Sequence, residues 1–330
     1  MKDKILSILK YLVLISVGII LILLAFKGIN LEDILNALHK ADWIWLIPTF
    51  LFLALSHYIR GLRWNMLIES LGYKTSAFDS FNAVCIGYLV NIAVPRLGEI
   101  TRCTILSKTQ KSPVESLLGT VFLERIIDML TVLLLLFSLL AFKLDLLGNY
   151  FYHLTRPLMD LIIQNWQVCL FGILLLALAM YIFIKTWLKN LLAFKALAKL
   201  LGFLRGMGEG MLSIKKLRNP LGFVFYSLLI WALYLFTTIF VFKCLESTRD
   251  LGLSEGLAVL IAGGFGMAAP TPGGIGSYHL LVSEVLTLFH ISKAEGLAAA
   301  TLSHGSQTFF LIVLGAFSFL MIFVRKPSHD

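Results

Sequence analysis

Apolar runs about as long as a bilayer's hydrocarbon layer is thick recur along this chain, and they restrict its fold more than any other feature. The clearest are Ile8 to Phe26, Trp43 to Ile59, Leu117 to Phe142, Val168 to Ile184, Leu221 to Phe242 and Leu297 to Val324. Each approaches the roughly 20 residues that a helix needs to cross a membrane. With no water inside the bilayer to satisfy backbone groups, such runs must be helical. Two further apolar regions, Ala77 to Pro95 and Leu257 to Leu288, are interrupted by proline, glycine or charge. Each fits either a re-entrant hairpin or a pair of short spans. The expected fold class is an all-α integral membrane protein: six full transmembrane helices plus two broken or re-entrant hairpins, about eight segments, in one membrane domain over residues 1–330.

Composition excludes the alternatives. Of 330 residues 58% are hydrophobic and 14% charged, too apolar for a soluble globule, and no stretch remains for a separate soluble catalytic domain. The formal charge of +9 fits basic cytoplasmic loops rather than a nucleic-acid partner. Cys85, Cys103, Cys169 and Cys244 form no CxxC pair, so neither zinc nor a disulfide framework is expected, and their role is packing. No metal or cofactor is implied. No small-x-small site follows Leu24-Ala25-Phe26, so the first apolar run reads as an uncleaved helix.

Loop charges set an orientation. The loop from Lys27 to Asp42 carries a net −1, Arg60 to Ser76 +2, Pro95 to Lys111 +3, Lys143 to Trp166 zero, Lys185 to Asn219 +7 and Lys243 to Glu255 −1. Both flanks of Ala77 to Pro95 thus prefer the cytoplasm, which makes that region a hairpin with its tip between Asn82 and Tyr88. A second hairpin, within Leu257 to Leu288, enters from outside. The resulting order is helix, helix, hairpin, helix, twice over, with repeats at about 1–142 and 143–330 in opposite orientation. Inverted repeats with broken helices are a transporter architecture with the site at the repeat interface. Both termini are expected in the cytoplasm of a cell (inner) membrane.

Three clusters of polar residues stand out. In Asn91-Ile92-Ala93-Val94-Pro95-Arg96-Leu97-Gly98-Glu99-Ile100-Thr101-Arg102, Pro95 disfavours a helical Val94 and marks a break. A new helix N-terminus beside Arg96 and Arg102 would cradle a phosphate. Glu124-Arg125 and Asp128 interrupt an apolar helix, and each charge at a bilayer centre costs about 2.5–3.5 kcal/mol. Glu124 and Asp128 share a helical face and repel unless a cation joins them, Arg96 or Arg102 being the nearest. The third cluster, Ala262 to His279, holds six glycines and two prolines. Irregular backbone at membrane depth is tolerated only around protein or a water-filled cavity. Gly273, Gly274 and Gly276 either expose amides to an anion or let helices approach. His279 is a candidate proton-linked group or a ring bonded to nearby backbone, and His304 adds to a polar stripe with Ser303 and Gln307. The basic and apolar stretch from Lys185 to Asn219 reads as an interfacial amphipathic helix.

The run Asn91, Pro95-Arg96-Leu97-Gly98-Glu99, Arg102, then Glu124-Arg125 with Asp128, then Pro270-Thr271-Pro272-Gly273-Gly274-Ile275-Gly276, resembles the lysylphosphatidylglycerol synthase transmembrane region, also called the flippase-like domain. The resemblance covers nearly the whole chain and implies a lipid-translocating domain without the lysine-transferring half. Two departures are the adjacency of Pro95 and Arg96 and the presence of His279 where many members carry a glutamate.

The leading expectation is therefore a non-enzymatic flippase or transporter of an anionic or aminoacylated lipid, its partner a membrane phospholipid or lipid-linked substrate. The substrate-binding candidates are Asn91, Arg96, Glu99, Arg102, Thr271, Gly273, Gly274, Gly276 and His279, with Glu124, Arg125 and Asp128 as a charge network. The alternatives are an intramembrane transferase using Glu99, Glu124 or Asp128 as base, against which no nucleophile triad or nucleotide loop appears, and a non-catalytic membrane scaffold.

Overall fold

The structure, a computed structural model, describes residues 16, 19–27, 31–110, 112–142, 156, 160–161, 163–192 and 195–324. Regular structure among them is helical throughout: α1 (Leu31–His39), α2 (Leu46–Ser70), α3 (Ala77–Ala93), α4 (Leu97–Gln110), α5 (Val114–Phe142), α6 (Trp166–Leu192), α7 (Lys195–Met211), α8 (Pro220–Cys244), α9 (Leu253–Ala268), α10 (Ser277–Thr287) and α11 (Lys293–Val324). Residues 19–26 are helical too. Trp43–Ser70, Pro220–Cys244 and Lys293–Ile322 are long and apolar enough to cross a bilayer, and α5 and α6, at 29 and 27 residues, have the length. The fold is that of an all-α, multi-pass membrane protein. The charge expectations for both termini and for residues 143–155 fall outside the described residues.

Local sequence explains where the central helices begin. Ser76 caps α3 by accepting from the Asp79 amide at 3.0 Å, and Asn219 caps α8 by accepting from the Gly222 amide at 2.9 Å, with Pro220 in the first turn where no amide is needed. α2 and α8 pack antiparallel. The Asp42 amide ahead of α2 donates to the Cys244 carbonyl at the end of α8, 2.8 Å away. Ile59, Ile230 and Leu233 fill the middle of their interface.

Two helical hairpins flank this pair. The first, α3–α4, has its base near the C-terminal half of α2, where Ser80 donates to Asn65. The second, α9–α10, follows the opposite end of the bundle, after Cys244. The tips meet: the backbone of Gly273 lies against Ile92 at the end of α3. α11 crosses both hairpins, with Gly315 seated on Leu89 and the Cys85 carbonyl and Gly296 on Ser283 and Leu286.

The first hairpin differs from the expected one. Ala77 to Ala93 is an unbroken helix, so the tip is not between Asn82 and Tyr88 but at Val94, Pro95 and Arg96, and the return limb is α4. Nothing between Asn82 and Tyr88 breaks a helix, whereas Pro95 drives Val94 to φ −133°, ψ 106°. α2 likewise continues to Ser70, so Arg60 and Arg63 are helical and buried rather than loop charges. Downstream of Lys185, α6 runs to Leu192, and the described part of α7 does not rest on lipid alone. Gly206 and Gly210 seat it against Glu115, Ser116 and Gly119 of α5.

Candidate functional site

Halfway along the long helices lies a continuous ion network. Arg60 Nη1 meets Asp128 Oδ2 at 2.8 Å and Arg63 Nη1 meets Asp128 Oδ1 at 2.9 Å. Arg63 also donates through Nε and Nη2 to Glu124 Oε1, at 3.3 and 3.2 Å. Arg102 Nη2, from α4, donates to Glu124 Oε2 at 2.8 Å. Asp128 stands fourteen residues from either end of α5, about 21 Å at 1.5 Å per residue, which puts its carboxylate at the middle of that helix. α8 contributes two uncharged acceptors, Ser227 Oγ at 3.2 Å from Arg63 and Tyr234 Oη at 3.4 Å from Arg60. The Arg102 guanidinium also lies 4.5 Å from the centre of the Trp64 ring, whose Nε1 donates to Thr120 at 2.8 Å.

The first hairpin extends the network toward its tip. Asn91 Oδ1 accepts from the Gly98 amide at 2.7 Å, tying the two limbs together where Gly98 approaches the Gly87 carbonyl too closely for any side chain. Arg125 Nη2 donates to Glu99 Oε1 at 3.1 Å, the two side chains 40% and 22% exposed, while Arg60, Arg63 and Glu124 are sealed. Between Tyr88, Asn91, Glu99, Arg102 and Arg125 is a cavity of about 10 Å³, the size of one water. Buried polar atoms around it, Glu99 Oε2, Arg102 Nε and Arg125 Nε, have no hydrogen-bond partner among the described residues. Arg96, at the tip, is exposed and holds φ at 66°, a conformation unfavourable for a residue with a Cβ.

The second hairpin turns through Gly273, Gly274 and Gly276 at φ 58°, 77° and 85°, which glycine adopts without penalty. Ser277 locks the turn by donating to the Gly266 carbonyl at 2.6 Å, and it shares a 2.9 Å hydrogen bond with Thr271. The Gly274 amide donates to the Thr271 carbonyl and is thereby used within the turn. His304 Nε2, on α11, donates to the Gly273 carbonyl at 2.7 Å. A bond to nearby backbone was one of the two readings of His279, whose Nδ1 is instead buried without a partner among the described residues. The two imidazole rings are 5.0 Å apart, and Tyr278 Oη shares a 2.8 Å hydrogen bond with Ser303.

The structure thus brings Asn91, Glu99, Arg102, Glu124, Arg125 and Asp128 together, and gathers Thr271, Gly273, Gly274, Gly276 and His279 in the second tip. The contact between Ile92 and Gly273 joins the two groups. Arg96 pairs with no carboxylate among the described residues, because its place in the turn carries it away from α5. Sequence reading missed Arg60, Arg63, Ser227 and Tyr234. His57, one turn before Arg60, is also buried, with both ring nitrogens unpartnered among the described residues and the centre of the Tyr88 ring 4.7 Å from its own. The signal lay in the spacing His57, Arg60, Arg63, which is one helical face, with no proline after Pro48 in the stretch and Gly61 the one glycine before Gly72. Among the described residues no three His, Cys, Asp or Glu side chains gather as metal ligands.

Comparison with known proteins agrees with this architecture. The family model described as the lysylphosphatidylglycerol synthase TM region matches residues 7–315. A UPF0104 membrane protein of Pyrococcus horikoshii is 26% identical over 316 residues, 89% of this chain and 91% of that protein. A UPF0104 membrane protein of Methanocaldococcus jannaschii is 27% identical over 163 residues, 48% of this chain and 46% of that protein. A more restricted similarity, 26% over 125 residues, covers 36% of this chain and 20% of the glycosyltransferase AglD of Haloferax volcanii. No solved structure matches the chain.

Proposed function

Because the chain belongs to the lysylphosphatidylglycerol synthase transmembrane-region family, we propose that it moves a lipid across the membrane. The observation that carries this reading is the meeting of two hairpin tips, Ile92 against Gly273, beside an ion network halfway along the long helices. Inverted repeats at about 1–142 and 143–330 place each hairpin in the corresponding position of its half, with both termini in the cytoplasm of a cell membrane. Translocation then follows from rocking one half against the other around the polar centre. The headgroup travels past Arg96, Asn91, Glu99 and the glycine turn at Thr271, Gly273, Gly274 and Gly276, with His279 behind it. The acyl chains stay in lipid between the helices.

The test is reconstitution of the full chain into vesicles carrying tail-labelled lipids with different headgroups. Loss of label from one leaflet at a protein-dependent rate is the expected result, and no protein-dependent movement of any headgroup overturns it. The similarity to a glycosyltransferase favours a second reading, an intramembrane transferase with Glu99 as base. In that case the same vesicles yield a chemically altered lipid.

A further inference from the structure

The charges at the network distinguish an anionic headgroup from an aminoacylated one. Four arginines, Arg60, Arg63, Arg102 and Arg125, face three carboxylates, Glu99, Glu124 and Asp128. The two inner carboxylates are committed, Asp128 between Arg60 and Arg63 with Arg125 Nη1 at a longer 3.9 Å, and Glu124 between Arg63 and Arg102. Among the described residues Glu99 holds only Arg125, through one oxygen, and its other oxygen is buried without a hydrogen-bond partner. Among the described residues the network therefore carries one positive charge more than its carboxylates supply, with Arg60, Arg63 and Arg102 buried where screening is weak. Arg96, exposed in the tip of the same hairpin, adds a further positive charge outside the network. A cationic headgroup would enlarge this excess, and a single negative charge cancels it.

We infer that Arg125 takes the singly negative phosphodiester of a lipid in the place that the Glu99 carboxylate occupies in this structure. The inference rests on the lipid reading above and narrows it to an anionic substrate. The Arg125–Glu99 pair is reachable from outside, its side chains 40% and 22% exposed, while the space between Tyr88, Asn91, Glu99, Arg102 and Arg125 holds only about one water (≈ 10 Å³), so a headgroup that comes into direct contact with Arg125 competes with Glu99 for it. Glu99 is the partner free to leave: it is the most exposed of the three carboxylates, 22% against 11% and 0%, and it sits on α4 rather than on the helix that carries Glu124 and Asp128. Two phosphate oxygens fit the planar fork of a guanidinium as a carboxylate does, so Arg125 stays paired throughout the exchange. Glu99 is then an internal competitor of the substrate.

Binding separates this inference from translocation. The full chain in detergent is offered equal amounts of phosphatidylglycerol, phosphatidylethanolamine and lysylphosphatidylglycerol, and retained lipid is counted by native mass spectrometry. Phosphatidylglycerol is expected to be retained at least about 5-fold over the other two, a difference of about 1 kcal/mol. E99Q, which keeps the shape and removes the competing charge, is expected to raise that retention, and R125Q to erase the preference. Equal or greater retention of lysylphosphatidylglycerol overturns the inference, as does an E99Q variant that binds less. Displacement of the phosphatidylglycerol by millimolar inorganic phosphate would assign the site to a soluble anion and overturn the lipid assignment. Selective binding with no movement between vesicle leaflets leaves the anion site standing and removes the translocation reading instead.

Discussion

Glu124 has no exposed side-chain surface and holds Arg63 and Arg102 at once, so its charge stabilises two guanidinium groups that have no water to turn to. Removing one partner of a buried pair leaves the other charge uncompensated and costs about 3–5 kcal/mol. E124Q is expected to lose at least that much in reversible unfolding in bicelles. The contrast is the pair between Lys293 and Glu284, 2.7 Å apart but 43% and 38% exposed. K293Q is expected to change stability by no more than about 0.5 kcal/mol, since exposed pairs are screened by solvent. An E124Q loss as small as that expected of K293Q would mean that the network is solvated and not buried. Glu124 and Asp128 were legible in the sequence because a carboxylate inside an apolar run demands a partner. Arg60 and Arg63 were not, because they stand at the end of an apolar run where arginines ordinarily face the cytoplasm, and only their partners on α5 reveal that the helix carries them inward.

At the scale of the helical element, the hairpin α3–α4 depends on one side chain and one close approach. Asn91 accepts from the Gly98 amide, in the first turn of α4, where amides lack intrahelical partners. N91A is expected to cost about 1 kcal/mol and to raise hydrogen exchange in the first turn of α4, whereas exchange in α2 and α8 stays unchanged. G98A forces a methyl group onto the Gly87 carbonyl and the Asn91 amide, an overpacking expected to cost about 1–3 kcal/mol. Wild-type exchange at α4 in either variant would show that the limbs are held by other contacts. Loop charges led to a hairpin confined to Ala77 to Pro95, whereas that region is one helix and the hairpin closes only through α4, with its tip at Val94, Pro95 and Arg96. The reason is that charges from Glu99 to Lys108 were counted as loop, whereas they lie on a helix that turns Arg102 inward to Glu124. The second hairpin was easier to read, since the glycines and prolines that form its turn are the same residues that rule out a continuous helix.

For the whole molecule, the order of helices and hairpins was legible from hydropathy and loop charge, but which hairpin touches which helix was not, because packing between apolar surfaces leaves no periodic trace. The positive-inside tendency assigns the basic stretch after Lys185 to the cytoplasmic side, and on that expectation reporters fused within 185–219 and after Asp330 both read cytoplasmic. An external reading at either point removes the inverted-repeat scheme. The rocking motion makes a stricter demand. α11 crosses the first hairpin where Gly315 sits on Leu89, and a Cβ built on Gly315 would lie 2.6 Å from the Leu89 Cβ. That is nearer than the 3.5–4.5 Å of a disulfide, so the helices need part by only about 1 Å to accept one. L89C combined with G315C, in a background with Cys85, Cys103, Cys169 and Cys244 replaced by alanine, is expected to cross-link on oxidation and to slow lipid movement in vesicles at least about 10-fold, with recovery on reduction. If the hairpin and α11 instead move as one body, the oxidised protein transports at the reduced rate. The moving boundary would then have to lie at the contact between Ile92 and Gly273, where the two tips meet without any side chain on the glycine to interlock them.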